Sequence, residues 1–174
     1  RGITDEIMKK FIIGYDKDRE AVAFFWLDAK TGKVAAIKFR SIKSKQFYYL
    51  DGGQPVRNHI FGLYQVIQGS HKEVFIVESE IDALYLWSIG VPAIALGGSN
   101  FSEKQKQLLL LSGIETIVIA TDNDKAGYRI KMQLIRELGG HFNLKQLYLP
   151  YYAKDVNDLG AAELLNYVEH AEEY

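Results

Sequence analysis

The chain contains no cysteine. That absence excludes disulfides and any thiolate zinc site within it. It also lacks an apolar run near the roughly 20 residues that a membrane-spanning helix requires. The longest candidates, such as residues 108–111, are short and flanked by polar positions. No signal-peptide pattern opens the sequence, and no repeat or low-complexity tract interrupts it. Its four histidines, His59, His71, His141 and His170, are scattered and read as structural or surface residues. These absences set the expectation of a cytoplasmic protein with no membrane association. The first residue is Arg1 rather than Met, so a piece of a longer protein is expected.

What is present suits a globular chain. Of 174 residues, 48% are hydrophobic and 25% charged, enough for one sizeable core and a small appended lobe. The net charge of −1 conceals an asymmetry. Residues 1–72 hold 13 Lys and Arg against 7 Asp and Glu, whereas residues 73–174 hold 8 against 15. The basic excess peaks over residues 28–58, at Lys30, Lys33, Lys38, Arg40, Lys43, Lys45 and Arg57. A basic lobe beside an acidic one suits a polyanion bound near a metal site; an ordinary solvated surface accounts for the charge equally well.

Residues 4–11 read as a short helix capped by Thr4, with Ile7, Met8 and Phe11 at helical spacing. Residues 21–27 and 34–39 read as a hairpin around the turn Asp28-Ala-Lys-Thr-Gly32, and residues 46–50 as a further strand. A helix over 61–68 leads into a different rhythm. Strand-like runs at 74–77, 93–96, 116–120 and 144–149 alternate with helical patterns at 81–89, 102–111, 126–138 and 161–170. The expected fold is α/β: a mostly parallel sheet flanked by helices (71–174), with a small N-terminal α+β lobe (1–70). Trp26 and Trp87 fall on apolar periodic faces and are assigned to the core.

In parallel α/β sheets, chemistry collects at the carboxyl ends of the strands. Three acidic groups fall there: Glu78, then Asp122-Asn-Asp124, then Lys154-Asp155-Val-Asn157-Asp158. Gathered carboxylates repel one another, and a hard divalent cation such as Mg²⁺ relieves the repulsion through oxygen ligands. Asp122 and Asp124 point the same way on an extended segment. Asp82 shares a helix face with Glu78 if the helix begins there. Asp124 serves equally well as a helix cap, and Gly127 permits a tight turn into the helix that follows.

Glu78-Ser-Glu-Ile-Asp82-Ala, Leu96-Gly-Gly-Ser99, Asp122-Asn-Asp124-Lys-Ala-Gly127 and Lys154-Asp155-Val-Asn157-Asp158-Leu resemble, in order and spacing, the motifs of Toprim domains in DnaG-type primases. Residues 1–70 resemble the same family's amino-terminal subdomain, through Arg1-Gly-Ile-Thr-Asp-Glu, Phe11-Ile-Ile-Gly14-Tyr, Arg40, Lys45 and Phe61-Gly-Leu-Tyr64. The resemblance implies a Toprim fold and a nucleotidyltransferase that makes RNA primers on a single-stranded DNA template from nucleoside triphosphates. Glu78, Asp122 and Asp124 would be its catalytic metal-binding carboxylates, with Asp82 and Asp155 supporting. Arg40 and Lys45 would contact template or triphosphate, and Lys154 would neutralise phosphate. Mg²⁺ is the implied cofactor, with Mn²⁺ substituting and no zinc in this chain. A replicative helicase is an implied partner, through regions absent here. Ser79 stands where the family usually has Gly, and Asn157 where it often has Asp.

Phe47, Tyr48 and Tyr49 lie among the basic residues and are candidates for base stacking. For Phe47 a place in the strand core or on its exposed flank is the better reading, and for the tyrosines both remain open. Rival functions are a Toprim nuclease, a non-catalytic nucleic-acid-binding Toprim module, and a phosphoacceptor receiver domain. The receiver would leave the basic lobe unexplained.

Overall fold

The computed structural model describes residues 2–44 and 46–174. Helix α1 (Asp5–Lys10) is capped by the Thr4 hydroxyl. Strands β1 (Gly14–Asp16), β2 (Ala21–Leu27), β3 (Val34–Ser41) and β4 (Phe47–Tyr49) form an antiparallel sheet in that order. The β2–β3 turn is closed by Asp28, whose carboxylate accepts from the Lys30 and Thr31 amides. The predicted hairpin and third strand are therefore present. The short β1 is an addition that periodicity does not reveal.

A 3-10 turn (Val56–Asn58) and helix α2 (Leu63–Gln68) lead to the second sheet. There β5 (Glu73–Val77), α3 (Glu80–Ser88), β6 (Ala93–Ala95), α4 (Glu103–Leu110), β7 (Thr116–Ile119), α5 (Lys125–Leu138), β8 (Asn143–Gln146), α6 (Ala161–Glu169) and β9 (Glu172–Glu173) follow in order. The sheet order is β6-β5-β7-β8-β9, with β6, β5, β7 and β8 parallel and β9 antiparallel at the edge. This is the expected mostly parallel sheet flanked by helices. Strand β5 runs Val74, Phe75, Ile76 and Val77, all buried, as a strand covered on both faces must be.

The two sheets share one apolar core. Phe24, Trp26 and Ala36 of the antiparallel sheet pack in the same cluster as Val77, Leu84 and Ile94. Phe61 forms a bridge with Ala95, and its ring packs tilted against Phe11 and Trp26 and edge-on against Phe24. Trp26 is fully buried and Trp87 nearly so, as assigned from sequence. Among the described residues, no helix is long and apolar enough to cross a membrane.

Candidate active site

The carboxyl ends of β5 and β7 meet β3 and β4 of the antiparallel sheet in a cleft of about 410 Å³. Glu78, Asp82, Asp122 and Asp155 line its acidic side, together with Lys154. Lys38, Arg40 and Phe47 of β3 and β4 line the other. Of the residues that sequence spacing placed at strand ends, Glu78, Asp122 and Asp155 thus line one cleft.

Each carboxylate is fixed by its local chain. Glu78 follows β5 directly, and its Oε1 accepts the Asp122 amide at 3.1 Å, which ties the ends of β5 and β7 together. Helix α3 starts at Glu80, not Glu78, with Ser79 as its cap. The Ser79 hydroxyl accepts from the Asp82 amide at 3.4 Å and donates to Asp82 Oδ2 at 2.5 Å. Ser79 has φ −111°, a conformation open to any residue, so serine in place of glycine leaves the backbone undistorted. Asn157 donates its side-chain amide to Asp82 Oδ1. An aspartate there would add a like charge; the amide instead supplies a donor. Asp155 caps the 3-10 turn Val156–Asp158 through the Asn157 amide at 2.9 Å.

Asp124 has two duties. Its Oδ1 caps α5, accepting from Ala126 and Gly127 at 2.8 and 3.0 Å. Its Oδ2 lies 3.4 Å from the Lys154 ammonium, which also sits 3.0 Å from Asp122 Oδ2. Asp124 stands at the rim, facing a neighbouring recess rather than the cleft itself. Gly127 is required by contact, not by a turn. A Cβ there would lie 1.9 Å from the Asp122 carbonyl oxygen. Gly97 (φ +80°) rests on Trp26, where a Cβ would lie 2.4 Å from the indole ring.

The electrostatics follow from crowding. Burial pushes the Glu78 carboxyl up to about 7, the Asp122 and Asp124 charges adding to it against the Asp122 amide and Lys154. Burial pushes Asp82 up to about 6, with Asp155 and Asp122 adding and Ser79 and Asn157 opposing. Burial also raises Asp122, with Lys154 opposing. Asp124 is held below its usual range by the Gly127 and Ala126 amides and by Lys154. Hydrogen bonding to Asp122 raises Lys154 in turn.

Among the described residues, no three His, Asp or Glu side chains stand ready-grouped around a common metal position. The cluster's countercharge is the Lys154 ammonium. The donor chemistry nevertheless fits a hard divalent cation: every donor is oxygen, and repulsion between the buried carboxylates is only partly answered. Asn157 Oδ1 is a further buried oxygen without a hydrogen-bond partner.

Sequence reasoning passed over Lys38 and Glu80. The Lys38 ammonium lies 2.9 Å from Glu80 Oε1 and 3.1 Å from Oε2, and 3.3 Å from the Gly97 carbonyl. Trp26 Nε1 donates to Glu80 Oε1 at 3.2 Å. Both charged side chains are almost fully buried at the floor of the cleft. The available signal was a lysine between Ile37 and Phe39 in a strand interior. Phe47 is 57% exposed on β4, an edge strand, so it lies on the exposed flank of the strand rather than in its core; its ring lies 4.8 Å from the Lys38 ammonium. Tyr48 instead stacks on Phe39. Arg40 lines the cleft, and Lys45 lies outside the described residues.

Residues 75–160 match the Toprim-like family. A DNA primase of Mycoplasma pneumoniae is 31% identical over 88 residues, which cover 47% of this chain and 14% of that protein. The Aquifex aeolicus primase fragment with zinc-binding and RNA polymerase domains superposes with a TM-score of 0.83 at 20% identity, over 99% of this chain and 54% of that one. A DnaG primase catalytic domain bound to single-stranded DNA superposes with a TM-score of 0.79 at 18% identity, over 99% of this chain and 69% of that one. The chain therefore spans only a small part of its curated relative. It carries a Toprim-like domain within the fold of a DnaG-type primase catalytic core.

Proposed function

We propose that this chain is the nucleotidyl-transfer core of a cytoplasmic DNA primase, with residues 1–70 as its basic subdomain and 71–174 as its Toprim domain. It would join nucleoside triphosphates into short RNA primers on a single-stranded DNA template. The observation that carries this reading is the convergence of Glu78, Asp82, Asp122 and Asp155 on one cleft whose opposite wall is cationic. The DnaG domain of similar fold is one solved with single-stranded DNA.

Glu78, Asp122 and Asp124 would hold Mg²⁺ or Mn²⁺, supported by Asp82 and Asp155. Such an ion lowers the pKa of an attacking hydroxyl and stabilises charge at the transferring phosphorus. The chain's own residues perform the positioning. The Glu78–Asp122 hydrogen bond fixes the spacing of the two strand ends. Ser79 and Asn157 hold the Asp82 carboxylate from both sides. Arg40 offers a planar guanidinium fork, suited to a phosphate. Lys154 balances Asp122 and Asp124 and is placed to turn toward phosphate once those carboxylates have another cation.

The test is primer synthesis from nucleoside triphosphates on a single-stranded template. Asp122→Asn and Glu78→Gln should each reduce it at least about a hundredfold, the scale typical of lost electrostatic stabilisation. Full synthesis by either variant would refute the catalytic assignment. Cleavage of the template without synthesis would instead select the nuclease reading.

A further inference from the structure

We propose that the face beside Asp124, adjoining the cleft, is a stacking platform for single-stranded nucleic acid. Three tyrosines stand unshielded there: Tyr151 is 94% exposed, Tyr128 58% and Tyr148 53%. Rings of this size usually bury most of their apolar area, so an exposed group of them marks a contact surface. Tyr128, Tyr148 and Lys131 line a recess whose floor is residues 121–124, the loop that carries Asp122 and Asp124. The segment that presents Tyr151 is fastened to the same loop. The Asn123 amide donates to the Lys154 carbonyl at 2.7 Å, and its side chain lies within hydrogen-bond reach of the Pro150 and Ala153 carbonyls. The neighbouring Tyr152 has another task, since its hydroxyl is committed to Glu163 at 2.5 Å.

Charge identifies the occupant. Lys125, Arg129 and Lys131 surround Tyr128 on α5, and none of them enters an ion pair among the described residues. The Lys131 ammonium lies 5.2 Å from the Tyr128 ring. Flat rings interleaved with uncommitted cations match a strand that offers bases and phosphates alternately. The platform is also continuous with the cleft, because Asp122 lines both. A strand running past Asp122 would leave the cleft directly onto Tyr148 and Tyr128. The inference rests on the nucleic-acid reading of the cleft and extends it to a surface outside the acidic cluster and the basic lobe.

Fluorescence anisotropy of this chain with two labelled strands of about 16 nucleotides tests it, one of thymidylates and one abasic with the same phosphates. Tyr128→Ala/Tyr148→Ala should weaken the base-bearing strand at least about tenfold and the abasic strand less than about twofold, because stacking needs bases. Tyr148→Phe should restore the single-site loss of Tyr148→Ala. Lys131→Ala should lower the salt-dependence slope by about one. Tyr151→Ser, at the most exposed ring, gives a second reading that disturbs only an edge-on contact with Tyr152. Unchanged affinity in the double variant and in Tyr151→Ser overturns the platform, as does equal loss on both strands. Failure of the primase reading is seen separately: an unaltered chain that makes no primers on a single-stranded template refutes that reading and leaves base-dependent binding at the tyrosines intact.

Discussion

Gly127 occupies a place where no side chain fits, since a Cβ there would lie 1.9 Å from the Asp122 carbonyl oxygen. Gly127→Ala should therefore cost about 1–3 kcal/mol, as overpacking does, and displace the very loop that presents Asp122. Denaturant unfolding measures the first effect, and loss of primer synthesis beyond the stability change measures the second. An unchanged unfolding midpoint would contradict the contact. The Lys38–Glu80 pair behaves differently. Lys38→Met strands a buried carboxylate and should cost about 3–5 kcal/mol, whereas Lys38→Met with Glu80→Leu should recover much of that. A double-mutant cycle with no coupling would show the charges to be independent. The acidic site was legible in the sequence because Glu78, Asp122 and Asp155 each follow a strand, where α/β folds place chemistry. Asp124 was legible only as an alternative between cap and ligand, and the structure gives one oxygen to the cap and the other to Lys154. Lys38 and Glu80 were not legible as partners. They are 42 residues apart and meet only when the antiparallel sheet docks on α3.

Elements were readable where their signals are local. Ser102 and Gln105 form a complete capping box at the start of α4, and α5 begins at its Asp124 cap and ends before Gly139-Gly140. Ends that depend on neighbours were not. The run 144–149 read as one strand, yet β8 stops at Gln146, after which the Leu147 amide bonds Ile119 and the chain turns at Pro150. Strand β9 consists of two glutamates, with no pattern of its own, and exists only by pairing with β8. His59 shows how elements are joined. Its ring contacts the Gln54 side chain at 2.9 Å and its carbonyl accepts from Gln105 of α4 at 2.8 Å. Burial lowers its pKa below the ordinary 6.5, with Asp28 opposing. The unfolded chain then binds the proton more readily, so stability should fall as pH drops from 6.5 toward the folded value. Thermal melts of His59→Gln should show a shallower decline over that window than the unaltered chain. Parallel curves would rule His59 out as the source.

At the scale of the molecule, the charge asymmetry read from sequence became two walls of one cleft, but the lobes are not separate bodies. One apolar cluster runs through both sheets. Unfolding should accordingly be a single cooperative event. Trp26 reports the antiparallel sheet and Trp87 the helix packed on the parallel one. Fluorescence of Trp87→Phe and Trp26→Phe variants, each compared with its own far-UV signal, should give coincident transitions. Separate midpoints for the two probes within either variant would show independent lobes.

The ion pair beneath the cleft has a mechanical consequence. Because Lys38 lies on β3 and Glu80 opens α3, and the Trp26 indole is wedged against Gly97, the two walls are riveted at their base. Spreading them would expose a charge and tear out a buried ring at once. The notch is a fixed vice rather than a jaw: whatever enters must arrive along its open top, and fit is achieved by bending the visitor, not the walls.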